Sequence, residues 1–378
     1  MSIPVTKPYF DEDEAKAIVE CLQSGWVVQG PRVAEFEKRW ANLIGVKHAT
    51  ATTSCTTALH LALLGVGVGT GDEVIVPAFS WIATANAVAY CGAKPTFVDI
   101  DLNTFNIDPA KIEEKISKRT KALMPVHQFG LSADMDRINL IAREFNLPVI
   151  EDAACACGTR YKGQQAGSLG DVGCFSFHPR KAITTGEGGM ITTNNKEFAS
   201  MFQILRSHGA SESDLARHRD GKFGLPEFKQ LGYNYRMTDI QAAIGLAQMD
   251  KMEWILQQRR QRAKRYTDML ADLPGLNLPE SSIDYEHAYQ SYVVLLNDRA
   301  SISRDLVARG LQERKISARP GTVSLPHTTY YASRYQIDPQ EFPNSLKAEA
   351  LSLTLPLYAT MSREEQSFVV GALYEVVK

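Results

Sequence analysis

The segment Val149–Gly189, VIEDAACACGTRYKGQQAGSLGDVGCFSFHPRKAITTGEGG, gathers the side chains best suited to chemistry. Asp152 stands just past an apolar run that reads as a strand. The carboxyl ends of strands are where open α/β sheets bind ligands. Lys181 lies in a polar loop after a second strand-like run, close to a Thr-Thr-Gly-Glu-Gly-Gly turn, and Ser176 ends that run. Upstream, Thr53-Ser54-Cys55-Thr56-Thr57 opens an apolar helix, and a helix N-terminus lined with hydroxyls attracts phosphate. Trp81 follows the strand-like EVIVPAF at the end expected to hold ligand. Singly, each has a plainer reading: turn former, surface charge, N-cap, packed ring. Together they fit one cofactor, pyridoxal phosphate. It needs a lysine amine for its Schiff base and a carboxylate to keep its pyridine nitrogen protonated. It also needs an aromatic face, and hydroxyls with backbone N–H groups for its phosphate.

The elements that must position these residues alternate. Glu73–Phe79, Pro95–Ile100, Ala122–Val126, Pro148–Ile150, Val172–Phe177 and Gly189–Thr193 read as strands. Ile82–Tyr90 and Met135–Phe145 read as helices between them. This predicts a buried, mostly parallel sheet covered by helices. After Thr238 the texture changes to a long helical stretch, Asp239–Leu273, with a break near Asp250. We therefore expect a large cofactor domain over residues 1–250 and a smaller α+β domain over 251–378. Residues 1–25 are expected to pack on the small domain or on a partner chain. The glycine-rich run Gly65–Gly71 precedes a strand instead of following one, so it is a helix exit and turn, not a dinucleotide loop.

The chain has 378 residues, 44% apolar and 22% charged, with Lys+Arg 41 against Asp+Glu 43 and a net charge of −2. That balance supplies no global attraction to nucleic acid or anionic membrane. The N-terminus lacks a basic-then-apolar leader, and no apolar run approaches a bilayer span. Six scattered cysteines suit free thiols in a cytoplasmic protein, and no metal-ligand spacing stands out.

Six segments carry a resemblance almost end to end: Ser24–Glu37, Thr57–Val88, Val149–Gly163, Phe175–Gly189, Leu231–Gly245 and Leu351–Tyr358. In their order and content they resemble the DegT/DnrJ/EryC1/StrS family of sugar aminotransferases. The resemblance implies a fold type I transferase with a mostly parallel seven-stranded sheet domain and a smaller α+β C-terminal domain. It implies that Lys181 is the Schiff-base lysine and proton carrier, that Asp152 pairs with the pyridine nitrogen, and that Trp81 stacks on the ring. Cys55 (through its backbone N–H), Thr56 and Ser176 would hold the phosphate. Asn234 would reach the phosphate from the neighbouring subunit of a homodimer. Cys155 stands where the family often has a glutamine near the cofactor's phenolic oxygen, and Cys55 where glycine is frequent. His178 would face the substrate. Arg314, Lys315 and Arg319 would pair with a nucleotide diphosphate.

The expected activity is therefore transfer of an amino group from L-glutamate to a nucleotide-linked keto-sugar, a 4-keto-6-deoxyhexose in first place. Transamination of a carbocyclic ketone is an alternative. So are a pyridoxal phosphate-dependent sugar dehydratase, which would carry histidine in place of Lys181, and a non-catalytic regulatory relative.

Overall fold

The computed structural model describes residues 2–212, 224–280 and 282–377. Seven strands form the central sheet: β1 His48–Thr52, β2 Glu73–Pro77, β3 Lys94–Val98, β4 Thr120–Leu123, β5 Ile150–Asp152, β6 Val172–Ser176 and β7 Gly189–Thr193. One ladder runs β3-β2-β4 and another β5-β6-β7-β1. Parallel bridges Leu123–Val149 and Val126–Asp152 join β4 to β5. The spatial order is thus β3-β2-β4-β5-β6-β7-β1, and β7 alone runs against its neighbours. The fold type I sheet expected from the sequence is present. Strands β2, β6 and β7 are buried throughout, as a sheet covered on both faces requires.

Helices α1 Glu12–Ser24, α2 Pro31–Ile44, α3 Cys55–Gly65, α4 Ala83–Tyr90, α5 Met135–Glu144 and α6 Lys196–Arg206 accompany this sheet. Helix α3 starts on a reciprocal cap, Ser54 bonding the Thr57 N–H while the Thr57 hydroxyl returns to Ser54. Its apolar residues meet Val74, Val76, Ile150 and Cys174 of the sheet in one core. On the other side Trp40 of α2 sits edge-on to Phe175 and Phe177, with centroids 5.1 and 4.9 Å away.

Helix α7, Asp239–Leu270, is continuous over 32 residues. The break expected near Asp250 does not exist. Asp250 meets Arg39 of α2, and Lys251 is held by Asp11, Asp13 and Glu14 at the start of α1. Charges that read locally as an interruption are satisfied by partners more than two hundred residues away. Gly245 gives α7 its close approach to α2, since a Cβ there would meet the Phe36 ring at 2.8 Å.

The helix serves two cores. Ala242, Leu246, Ile255 and Leu256 pack with Trp40 and Phe177. Ala263, Tyr266 and Leu270 pack in a second core with Tyr292, Val294, Leu353 and Leu373. Residue 250 therefore lies inside a helix that both lobes share. The second core belongs to a three-stranded antiparallel sheet, β8 Leu276–Asn277, β9 Tyr292–Leu296 and β10 Ser352–Leu355. Helices α8 Arg304–Glu313 and α9 Arg363–Val377 contribute Val307, Leu311, Val369 and Leu373 to it. Ile3 is fully buried in that core and bridges Ile316. A short ladder between Phe79–Ser80 and Val323–Ser324 brings this lobe to the end of the large sheet. Among the described residues no helix is long and apolar enough to cross a membrane.

Candidate active site

A cavity of about 440 Å³ opens where the carboxyl ends of β5 and β6 meet the start of α3 and the Pro320–Val323 segment. Asp152, Lys181, Trp81, Cys55, Thr56, Ser176, Cys155, His178 and Arg319 all line it. Residues spread over more than 260 positions are brought together by strand order.

Asp152 is 4% exposed at the end of β5. Its Oδ2 accepts from the Thr84 hydroxyl at 2.8 Å, and its Oδ1 from the Ala154 N–H at 3.2 Å. Thr84 in turn sits 2.8 Å from the Ser80 hydroxyl. Burial raises the Asp152 carboxyl above its usual range, opposed by the Thr84 and Ala154 bonds and by the charge on Lys181. The preceding residue points to the opposite face, as a strand demands. There Glu151 is wholly buried and accepts N–H bonds from Gly167, Leu169 and Gly170. The Nε2 of His127 lies 2.8 Å from Glu151, while His127 Nδ1 accepts from the Ala133 N–H. The His127 backbone N–H binds the Asp152 carbonyl at 3.1 Å. This network clamps the strand end that carries Asp152.

Lys181 follows β6 in a tight turn, its N–H bonded to the His178 carbonyl. Its Nζ donates to the Cys155 sulfur at 3.2 Å. The α3 N-terminus faces the same space. Ser54 caps the Thr57 N–H and the Ala58 N–H bonds to the Ser54 carbonyl, so no described residue takes the Cys55 and Thr56 N–H groups. The Cys55 thiol turns inward to the Cys174 carbonyl at 3.6 Å, and burial pushes it well above the usual thiol range. Only its backbone is therefore offered. Gly189 makes room for this helix start, because a Cβ there would lie 2.4 Å from the Ser54 carbonyl carbon.

Ser176 Oγ accepts from the His178 N–H at 3.4 Å, which leaves its own proton to donate. Burial lowers the His178 pKa, with Lys181, Arg180 and Arg319 acting in the same sense and Glu187 against them. Trp81 is 62% exposed, a large ring with an uncovered face at the cavity.

The structure does not bring every candidate here. Asn234 is exposed, paired through its backbone with Ser207, and does not line the cavity. The basic triplet splits. Arg314 caps α8 and pairs with Glu375 at 3.0 Å, while Lys315 is exposed in a left-handed turn (φ 60°). Ile316 is buried beside Ile3, and of the three basic residues only Arg319 lines the cavity, bridged to Thr354. Conversely, sequence reading passed over Thr84, Arg180, Glu187 and Gln290, which all line the cavity. Arg180 could have been found as the neighbour of Lys181; Thr84, 68 residues from the carboxylate it holds, carried no local signal.

The sheet order, with a lysine, a buried acid and a helix N-terminus at one cavity, defines a fold type I pyridoxal phosphate-dependent transferase. The chain belongs to the DegT/DnrJ/EryC1/StrS aminotransferase family, whose model matches residues 8–374, and is a sugar aminotransferase. It is 41% identical over 377 residues to the GDP-perosamine synthase of Caulobacter vibrioides, covering 99% of this chain and 98% of that protein. Among solved structures it resembles Helicobacter pylori PseC, an aminotransferase involved in pseudoaminic acid biosynthesis. The TM-score is 0.94 at 27% identity, covering 100% and 99% of the two chains. It also resembles the PMP form of the putative sugar aminotransferase Spr1654 from Streptococcus pneumoniae, with TM-score 0.92, 30% identity and 99% of each chain covered.

Proposed function

We propose that the enzyme moves an amino group from L-glutamate to a nucleotide-linked keto-sugar, with a 4-keto-6-deoxyhexose as the acceptor. The observation that carries this is the convergence of the Lys181 amine, the buried Asp152 carboxylate and the open α3 N-terminus on one cavity. These groups fit pyridoxal phosphate. The carboxylate is braced from behind, the two N–H groups await an anion, and Gly189 keeps a cradle that a Cβ would fill. When bound, the cofactor supplies the electron sink for the carbon that loses its proton.

Each chain group then has one task. Asp152 would hold the proton on the pyridine nitrogen. Lys181 would carry the proton between substrate carbons, acting as base and then acid. The N–H groups of Cys55 and Thr56, with the Ser176 hydroxyl, bind the phosphate at the positive end of α3. Trp81 covers a ring face, Cys155 lies against Lys181, and His178 faces the substrate. Asn234 completes the phosphate site from the second subunit of a homodimer, which is consistent with its exposed position. The large lobe to about residue 250 holds the cofactor, the small lobe closes over the acceptor, and the enzyme works in the cytoplasm.

The relative named as a GDP-perosamine synthase supports a nucleotide-sugar acceptor. The test is direct. Purified holoenzyme should be yellow and should aminate a nucleotide-linked 4-keto-6-deoxyhexose with glutamate, the product being identified by mass and NMR. Lys181→Ala should lose both colour and turnover. A fully active Lys181→Ala enzyme would sink the mechanism, and amination of inososes alone would sink the acceptor assignment.

A further inference from the structure

We propose that Cys155 and Lys181 are a modification site, joined by peroxide into a reversible sulfenamide bridge that shuts the cavity to its cofactor. The consequence for the cofactor rests on the role proposed for Lys181. The bridge itself rests on the geometry of the pair.

Strand order makes the pair. Cys155 stands in the turn that leaves β5, where the Ala156 N–H bonds to the Ala153 carbonyl and the Ala153 N–H to the Cys174 carbonyl of β6. Lys181 stands in the turn that leaves β6, its N–H bonded to the His178 carbonyl. The Gln290 amide pins that turn, donating to the Arg180 carbonyl at 3.0 Å. Two neighbouring parallel strands thus end in adjacent turns, and side chains 26 residues apart meet with Nζ 3.2 Å from Sγ. Reacting atoms about 3–3.5 Å apart are in a near-attack arrangement. The flexible four-carbon stem of lysine closes the remaining gap by side-chain rotation.

The thiol is also the accessible one. The other five cysteines are buried, with Cys55, Cys91 and Cys157 turned inward to Cys174, Ala87 and Met252. Cys155 is half-exposed and opens on the 440 Å³ cavity, which admits a small oxidant. Among the described residues Lys181 Nζ is its one hydrogen-bond partner, and the sulfur is the one partner of that amine. Arg180 and Arg319 line the same cavity with Lys181, against the carboxylates of Asp152 and Glu187. Partly exposed thiols among cations are the ones that oxidise selectively.

The chemistry balances with hydrogen peroxide as oxidant. The Cys155 sulfur attacks one peroxide oxygen, the O–O bond breaks, and the products are a sulfenic acid and water. The unprotonated Lys181 amine then attacks that sulfur. The N–S bond forms, the S–O bond breaks, and the hydroxyl leaves as water with the amine's proton. A dithiol reverses the step: its sulfur attacks Cys155, the S–N bond breaks, and the amine recovers its proton. Its second thiol then frees Cys155 by disulfide exchange. A bridged Lys181 has no amine to offer pyridoxal phosphate, and a cofactor already on Lys181 leaves no amine for the bridge. Oxidation and cofactor loading therefore compete for one nitrogen.

The test treats the full-length, cofactor-free protein with hydrogen peroxide, with and without prior saturation by pyridoxal phosphate, and maps tryptic peptides by mass spectrometry. The Cys155 peptide should be joined to the peptide that begins at Lys181, lighter by two hydrogens than the two together. The joined species should be missing after cofactor saturation and should separate with dithiothreitol. The fraction bridged should match the fraction of sites that no longer turn yellow with pyridoxal phosphate. Cys155→Ser should give no joined peptide and should keep its own untreated colour after peroxide, whereas Cys157→Ser should still bridge. The wild-type map decides the matter even where a variant fails to fold. Cys155 found as sulfinic acid or paired with Cys55, with no join to Lys181, overturns the proposal. A join that forms yet leaves the yellow colour undiminished defeats the cofactor role of Lys181 and spares the bridge.

Discussion

Gly189→Ala tests whether the α3 N-terminus is the phosphate site. The new methyl would sit 2.4 Å from both the carbonyl carbon and oxygen of Ser54, and 2.7 Å from the Cys55 nitrogen. All three are backbone atoms, so no flexible side chain can swing aside. Ordinary contact begins at 3.4 Å, so the helix start and strand β7 must separate by about 1 Å. Overpacking of this kind costs about 1–3 kcal/mol. A hydrogen-bond donor displaced by 1 Å from a charged acceptor loses most of its bond, worth about 1.5–3 kcal/mol. Two such N–H groups, Cys55 and Thr56, move together. Pyridoxal phosphate affinity should therefore fall by at least about tenfold to a hundredfold. Pyridoxal without its phosphate makes no use of these donors, so its affinity should fall much less. The assay is absorbance titration of the apo-protein with each compound, with circular dichroism to confirm folding. Equal weakening of both compounds, or none, would refute the assignment of the phosphate to this helix start.

Three further outcomes follow from the same geometry. Thr84→Val removes the hydroxyl that bonds Asp152 while keeping shape. Losing a hydrogen bond to a charged group, worth about 1.5–3 kcal/mol, should push the carboxyl up further. As pH falls, cofactor affinity should then begin to weaken at a higher pH than in wild type, and a pH series of titrations that superimposes on wild type argues against this bracing role. Iodoacetamide should alkylate Cys155 first. It is the one half-exposed cysteine, whereas burial pushes Cys91 and Cys157 up to about 12. Peptide mapping should show Cys155 protected by bound cofactor. His287 is fully packed, its ring stacked 4.0 Å from Tyr289, and burial lowers its pKa to about 3. Between about pH 6.5 and 3 the unfolded chain binds a proton that the folded chain refuses, so this group's contribution to stability falls with falling pH. The slope approaches 1.4 kcal/mol per unit. Urea unfolding at pH 7 and pH 5 should show a smaller pH loss in His287→Asn, and an identical loss would count against the burial argument.

Much of this was legible because it is local. Strands β2, β6 and β7 announce themselves as short apolar runs between turn residues, and the sheet they form follows from alternation with helices. Lys181, Asp152 and the hydroxyl-rich start of α3 each sit where a strand ends or a helix begins. Those positions are set by near neighbours in the chain, and the resemblance then tied them to one cofactor. The misreading at Asp250 has the opposite origin. Composition there suggests an interruption, and the helix continues because Arg39, Asp11, Asp13 and Glu14 arrive from elsewhere to pair with Asp250 and Lys251.

What the sequence by itself determined is thus the inventory: the kind of sheet, the lysine and acid, and the chemistry that such a pair can do. Tertiary structure alone decided which members of that inventory meet. It put Thr84 against Asp152 and brought Arg319 to the same cavity as Lys181, and it left Arg314 with Glu375 on the surface. The physical reason is that propensity and periodicity act over a few residues, whereas burial, charge pairing and cavity shape are settled by segments that fold together from distant parts of the chain.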